Sequence, residues 1–548
     1  MKKFFKIIFL FYFLLGCSKR LEKDNLKTLN LALSSEISTI DPANSYDGIS
    51  GQIVYHVLDT LYEYDYEKRP FVLRPLLAEG FPIISKDKTK YTFKIKKGVL
   101  FHEDPCFKGK PRVLIAQDFI NQIKRLAFLP IKSSGYWLFE GKIKGIDNFR
   151  KLAGSDFEKF KKLEIEGIKL VDENTFSIEF LKPYPQILYA LSMSFTAPIP
   201  MEAIEFYKND FSTNAIGTGP FFVTNMNIQG DSILTRNPSY HQKTPDFEKI
   251  HFHLIKEDQP RWLNFLNQKI DILSIPVDNY GNVIDKNGSL KEDLQKKGIS
   301  LYKGPSFTYW WLSFNMKDPL VGKNKFLRLS IAHAINRKKL IELFTNGLGV
   351  IANSIIPLGI DGHFENSLPF TYDPDRARLL LKKAGFPGGR GLPPIKLDTR
   401  STDTKSRQRA EFIKKELESI GIKITIQTNT FPAFLTKAKE GNLQFFFDGW
   451  TMDYPDAENS LSLLIKKNFP PGPNASFYHN IEFEKLYESY INSKPIPEKM
   501  MKMENLVNED LPWIMLYYDQ KAILVHSKVK NFIPPDFVNN YLKYLKHN

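Results

Sequence analysis

The stretch Ala410–Gln427, AEFIKKELESIGIKITIQ, changes its hydrophobic period at Gly421. Before the glycine, Ala410, Ile413, Leu417 and Ile420 recur every three or four residues and line one face of a helix. After it, Ile422, Ile424 and Ile426 alternate with Lys423, Thr425 and Gln427, the two-residue period of a strand. Helix, glycine and strand in quick succession predict an α/β architecture. The same grammar holds on either side. Asp373-Pro374 predicts a helix start, because aspartate caps free N–H groups and proline suits the first helical position. Ala377, Leu380, Leu381 and Ala384 mark its apolar face and Gly385 its end, with Arg376, Arg378, Lys382 and Lys383 on the solvated side. Ala433–Ala438 followed by Leu443–Phe447 is another such unit. Thr28–Leu33 and Tyr91–Lys96 alternate as strands. The glycine-rich loop Pro387–Pro394 is no phosphate cradle, since no Gly-Lys-Ser/Thr follows and it precedes a strand.

The chain's 548 residues exceed one compact core, so two or three domains are expected. Its start sets a compartment. Lys2, Lys3 and Lys6 accompany an apolar run from Phe4 to Leu15, broken only by Lys6 and ending at Gly16-Cys17. A basic start, a short apolar core and a small residue before the cut read as an export signal over residues 1–16. Cys17 after that small residue resembles the lipobox of bacterial lipoproteins, which implies a lipid anchor there and a polar tether over 17–27. No later segment has the roughly 20 apolar residues a bilayer needs. The formal charge of +15 invites nucleic acid as a partner, but export and the even spread of lysines argue against it. With Cys17 lipidated, Cys106 has no partner and reads as an inert thiol.

The search for catalysis finds no Gly-x-Ser-x-Gly elbow, zinc helix, Cys-x-x-Cys or Walker loop. His102-Glu103-Asp104 clusters titratable groups, but Pro105 makes a turn an equal reading. His251 and His253 share one strand face; with no third ligand evident they read as polar edge residues, and no metal is expected. One constellation remains, Phe445 to Asp456: an apolar run, then Asp448-Gly449-Trp450-Thr451-Met452-Asp453-Tyr454. Trp450 and Tyr454 can cover a guest, and a carboxylate in that apolar setting pairs strongly with an ammonium.

Short motifs carry a resemblance over most of the chain. Ser38–Ala43, Leu77-Ala78-Glu79, Tyr91–Val99 with Phe101-His102, Ile216–Phe221, Arg236–Tyr240, Phe314-Asn315, Ala334–Arg337 and Tyr372–Phe386 occur in the order seen in solute-binding protein family 5. The chain resembles that family's oligopeptide- and dipeptide-binding proteins of bacterial ABC importers. Asn336 stands where the family usually has aspartate, a change that touches helix structure more than ligand. The resemblance implies an α/β, two-lobed periplasmic-binding-protein fold of the class II type with an inserted subdomain. It implies lobe I at 28–62, 196–305 and 510–548, the insertion at 63–195, and lobe II at 306–509. It implies an extended peptide held through its main chain like a strand on a sheet edge. Gly449, Trp450 and Thr451 fall where the family supplies one edge, Gly48, Ile49 and Ser50 near the other, and Asp453 on the residue that meets the peptide ammonium. No arginine can be assigned to the peptide carboxylate. The expectation is a non-enzymatic, monomeric, lipid-anchored receptor at the cell envelope, without cofactor, that delivers short peptides to an ABC permease. Rivals are a carrier of nickel, haem or oligosaccharide on the same fold, a secreted hydrolase, and an envelope sensor.

Overall fold

The computed structural model describes residues 27–548 apart from 286–287, 346, 366–367, 471 and 492–496. The export signal and Cys17 lie outside the described residues. Among those described, no helix is long and apolar enough to cross a membrane. Thr28–Leu33 forms a strand parallel to Lys249–Leu254, and the sheet continues antiparallel through Ser232–Arg236 to Phe221–Asn225. Its alternation works as predicted: Leu29, Leu31 and Leu33 all turn into the core. A second, antiparallel sheet has the order Ile83–Ile84, Lys90–Lys94, Thr175–Glu179, Ile168–Asp172. Its inner residues Tyr91, Phe93, Phe176 and Ile178 join the same hydrophobic core as the three leucines.

The third sheet ties the molecule together. Its order is Ile272–Ser274, Trp513–His526, Ile299–Phe314, Phe445–Thr451, Ile395–Asp398 and Ile424–Gln427, with Val350–Ile351 pairing onto Trp513–His526. Two strands, of 16 and 14 residues, are far longer than the rest. Ile299–Pro305 pairs with Gln520–His526, and Ile523 and Val525 belong to the first core. Tyr309–Ser313 pairs with Trp513–Tyr518, where Leu312, Phe314, Ile514 and Leu516 belong to a separate second core. The register breaks between Pro305 and Tyr309, and Phe307 there adopts a positive φ of 57°. An interrupted ladder between two cores divides the α/β fold into two lobes joined by continuous strands, with the second sheet as an additional subdomain.

The local expectations meet this frame closely. Asp373 caps the helix Pro374–Lys383 by accepting the Arg376 N–H at 2.9 Å, and Ala377 and Leu381 are fully buried. The helix of the opening stretch runs Thr404–Glu418, and Phe431–Glu440 forms the next one. The strand after Gly421 begins at Ile424 because Gly421, at φ 97°, turns tightly against the glycine-rich loop. A Cβ on Gly421 would lie 2.5 Å from the Gly388 carbonyl oxygen, so that loop is a packing device. Asn336 caps the helix Arg337–Phe344 by accepting the Lys339 N–H at 2.9 Å, a structural duty.

Candidate functional site

Phe445, Phe446 and Phe447 are buried, and their apolar surface sets the strand Phe445–Thr451 inside the third sheet. On one side it pairs along its length with Ile299–Phe314, with Trp310 opposite Gly449, Tyr309 opposite Trp450 and Thr308 opposite Thr451. On the other side only Phe445 and Phe446 have strand partners, Leu397 and Asp398. From Phe447 onward that edge has no neighbouring strand among the described residues. Gly449 faces it: its carbonyl accepts a bond from Arg400 Nη1 at 2.9 Å. Strand alternation points the Thr451 backbone the same way. Gly449 cannot be larger, since its Cβ would stand 2.4 Å from the Trp310 ring.

Asp453 follows the end of this edge. Its carboxylate accepts bonds from Tyr46 Oη at 3.1 Å and Asn459 Nδ2 at 3.2 Å. Asn459 Oδ1 in turn receives the Asp453 N–H and the Trp450 indole N–H, which locks the loop to the strand. Burial pushes the Asp453 carboxyl pKa up, and only those two hydrogen bonds oppose the shift, with no cation among the opposing causes. Tyr46 packs on Phe195 of the first core, so this contact joins that core to the loop after the strand Phe445–Thr451. Asp453 forms part of the wall of a cavity of about 690 Å³, together with Tyr46, Gly48, Tyr55, Phe195 and Asn539. Among the described residues lining that cavity, Asp453 is the one contributed by 306–509.

Three expected positions behave differently. Tyr454 is buried beneath the site, its ring stacked on Tyr189 at 5.2 Å and its hydroxyl 2.5 Å from Glu458 Oε2, so it does not cover a guest. Ile49 and Ser50 do not form a sheet edge. Asp47 caps the helix Gly48–Val57, and its Oδ1 takes the N–H groups of Ile49 and Ser50 at 3.1 and 2.8 Å. The Ser50 side chain is fully buried, whereas Gly48 lines the cavity. The signal was present in the sequence: an aspartate ahead of Ile49, Ile53, Val54 and Val57 reads as a capped helix.

A second cavity of about 370 Å³ lies at the Gly449 end, between Trp310, Phe447, Arg400 and Arg409. Both guanidinium carbons stand within 6.0 Å of the Trp310 ring centroid. Arg400 pairs with Asp448 at 2.9 Å, while Arg409 contacts Tyr517 Oη at 3.1 Å and lies over Phe447. Sequence reading overlooked both arginines, because neither sits in a motif; the fold brings them to the strand edge. His102, Asp104 and Cys106 do not line either cavity. His102 Nε2 bonds the Gly219 carbonyl at 2.9 Å, and burial lowers its pKa to about 4. Asp104 caps the turn Pro105–Phe107, and burial pushes the neighbouring Cys106 thiol far up.

Residues 72–469 match the family described as bacterial extracellular solute-binding proteins, family 5 Middle. The dipeptide-binding protein of Escherichia coli is 26% identical over 406 residues, covering 71% of this chain and 70% of its own length. The glutathione-binding protein GsiB of Salmonella typhi is 24% identical over 518 residues, covering 92% and 91%. Among solved structures, the periplasmic binding protein DppA of Helicobacter pylori in complex with peptide STSA superposes with a TM-score of 0.73 at 25% identity, covering 95% of this chain and 98% of its own. A periplasmic oligopeptide-binding protein of Borrelia burgdorferi gives 0.70 at 23% identity, covering 95% and 100%. A match across most of its length, carried by the same two-lobed fold, assigns this chain to the bacterial extracellular solute-binding proteins of family 5.

Proposed function

We propose that this protein captures short peptides between its two lobes and hands them to an ABC permease, without making or breaking bonds, while lipid on Cys17 holds it at the membrane. The observation that carries the reading is Asp453: a half-buried carboxylate with no cation among the groups that shift it, following an open strand edge and facing a cavity. A buried charge without a counter-charge is costly, and a peptide ammonium is the group that relieves the cost. The outward backbone of Thr451 then offers main-chain pairing, and Gly449 joins it once its N–H leaves Asp448 Oδ1 and its carbonyl leaves Arg400, a mode that binds peptides with little regard to side chains. At the opposite end of the edge, Arg400 and Arg409 supply the cationic partner for a carboxylate. The names of the relatives fit this polarity, since dipeptides and glutathione each carry an ammonium and a carboxylate. Lobe I would comprise 28–62, 196–305 and 510–548, lobe II 306–509, and 63–195 the insertion. Closure would bend the interrupted ladder around Phe307, with guest contacts to both lobes selecting the closed state.

Mass spectrometry of small molecules released from protein purified without denaturation tests the reading. Peptides with free termini should appear and, added back, should give saturable heat in calorimetry. Release of only metal, haem or sugar, with no heat from a peptide pool, would replace this reading with a non-peptide carrier.

A further inference from the structure

We propose that Asp231, His251 and His253 form a surface site for a divalent first-row metal ion such as zinc, separate from the peptide cleft. His251 and His253 project from one face of the strand Lys249–Leu254, while Phe252 between them is fully buried on the other face and lines the large cavity. The third ligand comes from the neighbouring strand. Pairing sets Phe252 opposite Ser232, which brings the preceding Asp231 beside His253. Asp231 Oδ2 lies 2.9 Å from His253 Nδ1 and 3.1 Å from His251 Nε2, and the two rings are 3.8 Å apart. One ligand atom from each residue falls within a 4.8 Å circle. Zinc bound at its usual 2.0–2.2 Å to tetrahedral nitrogen and oxygen ligands sets them roughly 3.3 Å apart, so the two separations between Asp231 and the histidines need to open by only a few tenths of an ångström.

The surroundings prepare the ligands. Asp231 Oδ1 is held by the Leu254 N–H at 3.0 Å, which leaves Oδ2 directed at the imidazoles. Asn30 donates from its Nδ2 to Asp271 at 3.4 Å, so its Oδ1, 3.2 Å from His253 Nε2, accepts a hydrogen bond from the N–H of that nitrogen. A neutral His253 therefore carries its lone pair on Nδ1, facing the lone pairs of the carboxylate. That arrangement is repulsive unless His253 is protonated or a cation sits between them. Hydrogen bonding through the far ring nitrogen is how proteins orient metal-bound histidine. The side chains are 28%, 25% and 48% exposed for His251, His253 and Asp231, so an ion can enter and water can complete its coordination.

The test is calorimetric titration of zinc into chelator-stripped full-length protein at neutral pH. Wild type should bind one equivalent, and cobalt in its place should give visible d–d bands. His253→Ala should weaken zinc at least tenfold and abolish the bands, and Asn30→Ala should weaken it about tenfold through the lost orienting bond. Circular dichroism and peptide affinity should not change in either variant. No saturable binding up to about 100 μM zinc, or equal affinity in a His251→Ala/His253→Ala protein, would overturn the site.

Discussion

Replacing Asp453 by asparagine keeps the side chain's shape and its place beside Tyr46 and Asn459 while deleting the charge. Removing one member of a buried charge pair costs about 2–5 kcal/mol of binding. Asp453 keeps two neutral donors, so a value in the lower half of that range is expected, about 3 kcal/mol or 150-fold in Kd. Calorimetry with a peptide and its N-acetylated form completes a double-mutant cycle. Acetylation should weaken binding to wild type by a similar factor, and it should cost Asp453→Asn almost nothing further. Independent, additive losses, with coupling below about 0.5 kcal/mol, would remove the ammonium from Asp453 and with it the peptide orientation proposed here. The fold should not suffer. Burial raises this carboxyl's pKa in the folded state, so its ionisation costs stability once pH exceeds that raised value. At neutral pH Asp453→Asn should therefore melt at or above the wild-type temperature. For the same reason, wild-type peptide affinity should fall on acidification through the raised value, and that of the variant should not.

At the other end of the edge, Arg400→Met or Arg409→Met should weaken peptides with a free carboxylate by about 1.5–3 kcal/mol and C-terminally amidated peptides far less, as read by calorimetry. Gly449→Ala drives its methyl into the Trp310 ring and should cost about 1–3 kcal/mol in thermal or denaturant unfolding, with weaker peptide binding. Glu63 is buried between Lys543 at 2.7 Å and Arg74 at 2.8 Å. Burial alone would raise its pKa, but Lys543 and Arg74 hold it below the usual carboxylate range, so its contribution is complete above that range and lost as pH falls through the depressed value. Glu63→Gln should cost about 3–5 kcal/mol at neutral pH by stranding the buried Lys543. It should also flatten the acid limb of the stability profile, and an unchanged acid limb would show that Glu63 does not set it.

Periodicity and caps are local, and the features they encode were legible in the chain. Asp373-Pro374 started its helix, Leu29, Leu31 and Leu33 turned inward together, and the run Phe445–Phe447 became a buried strand. Apart from the helix Gly48–Val57, whose Asp47 cap is local, what the sequence left open depended on partners distant in the chain. An aromatic beside a carboxylate can face a cleft or a core; Tyr189 decided this for Tyr454. Asp231 meets His251 and His253 only through strand pairing, which the sequence around the two histidines does not show. Arg400 and Arg409 look like ordinary solvated charges until the sheet places Trp310 beside them.

The chain by itself determined the type of its strongly periodic segments and which side of each is apolar, because those properties depend on neighbours a few residues away. Only tertiary structure decided that Asp453 is half-buried with no cation among the groups that shift it, that one strand edge stays open, and that two lobes share two long strands. Burial and charge pairing arise from surfaces brought together across hundreds of residues, and local periodicity carries no record of them.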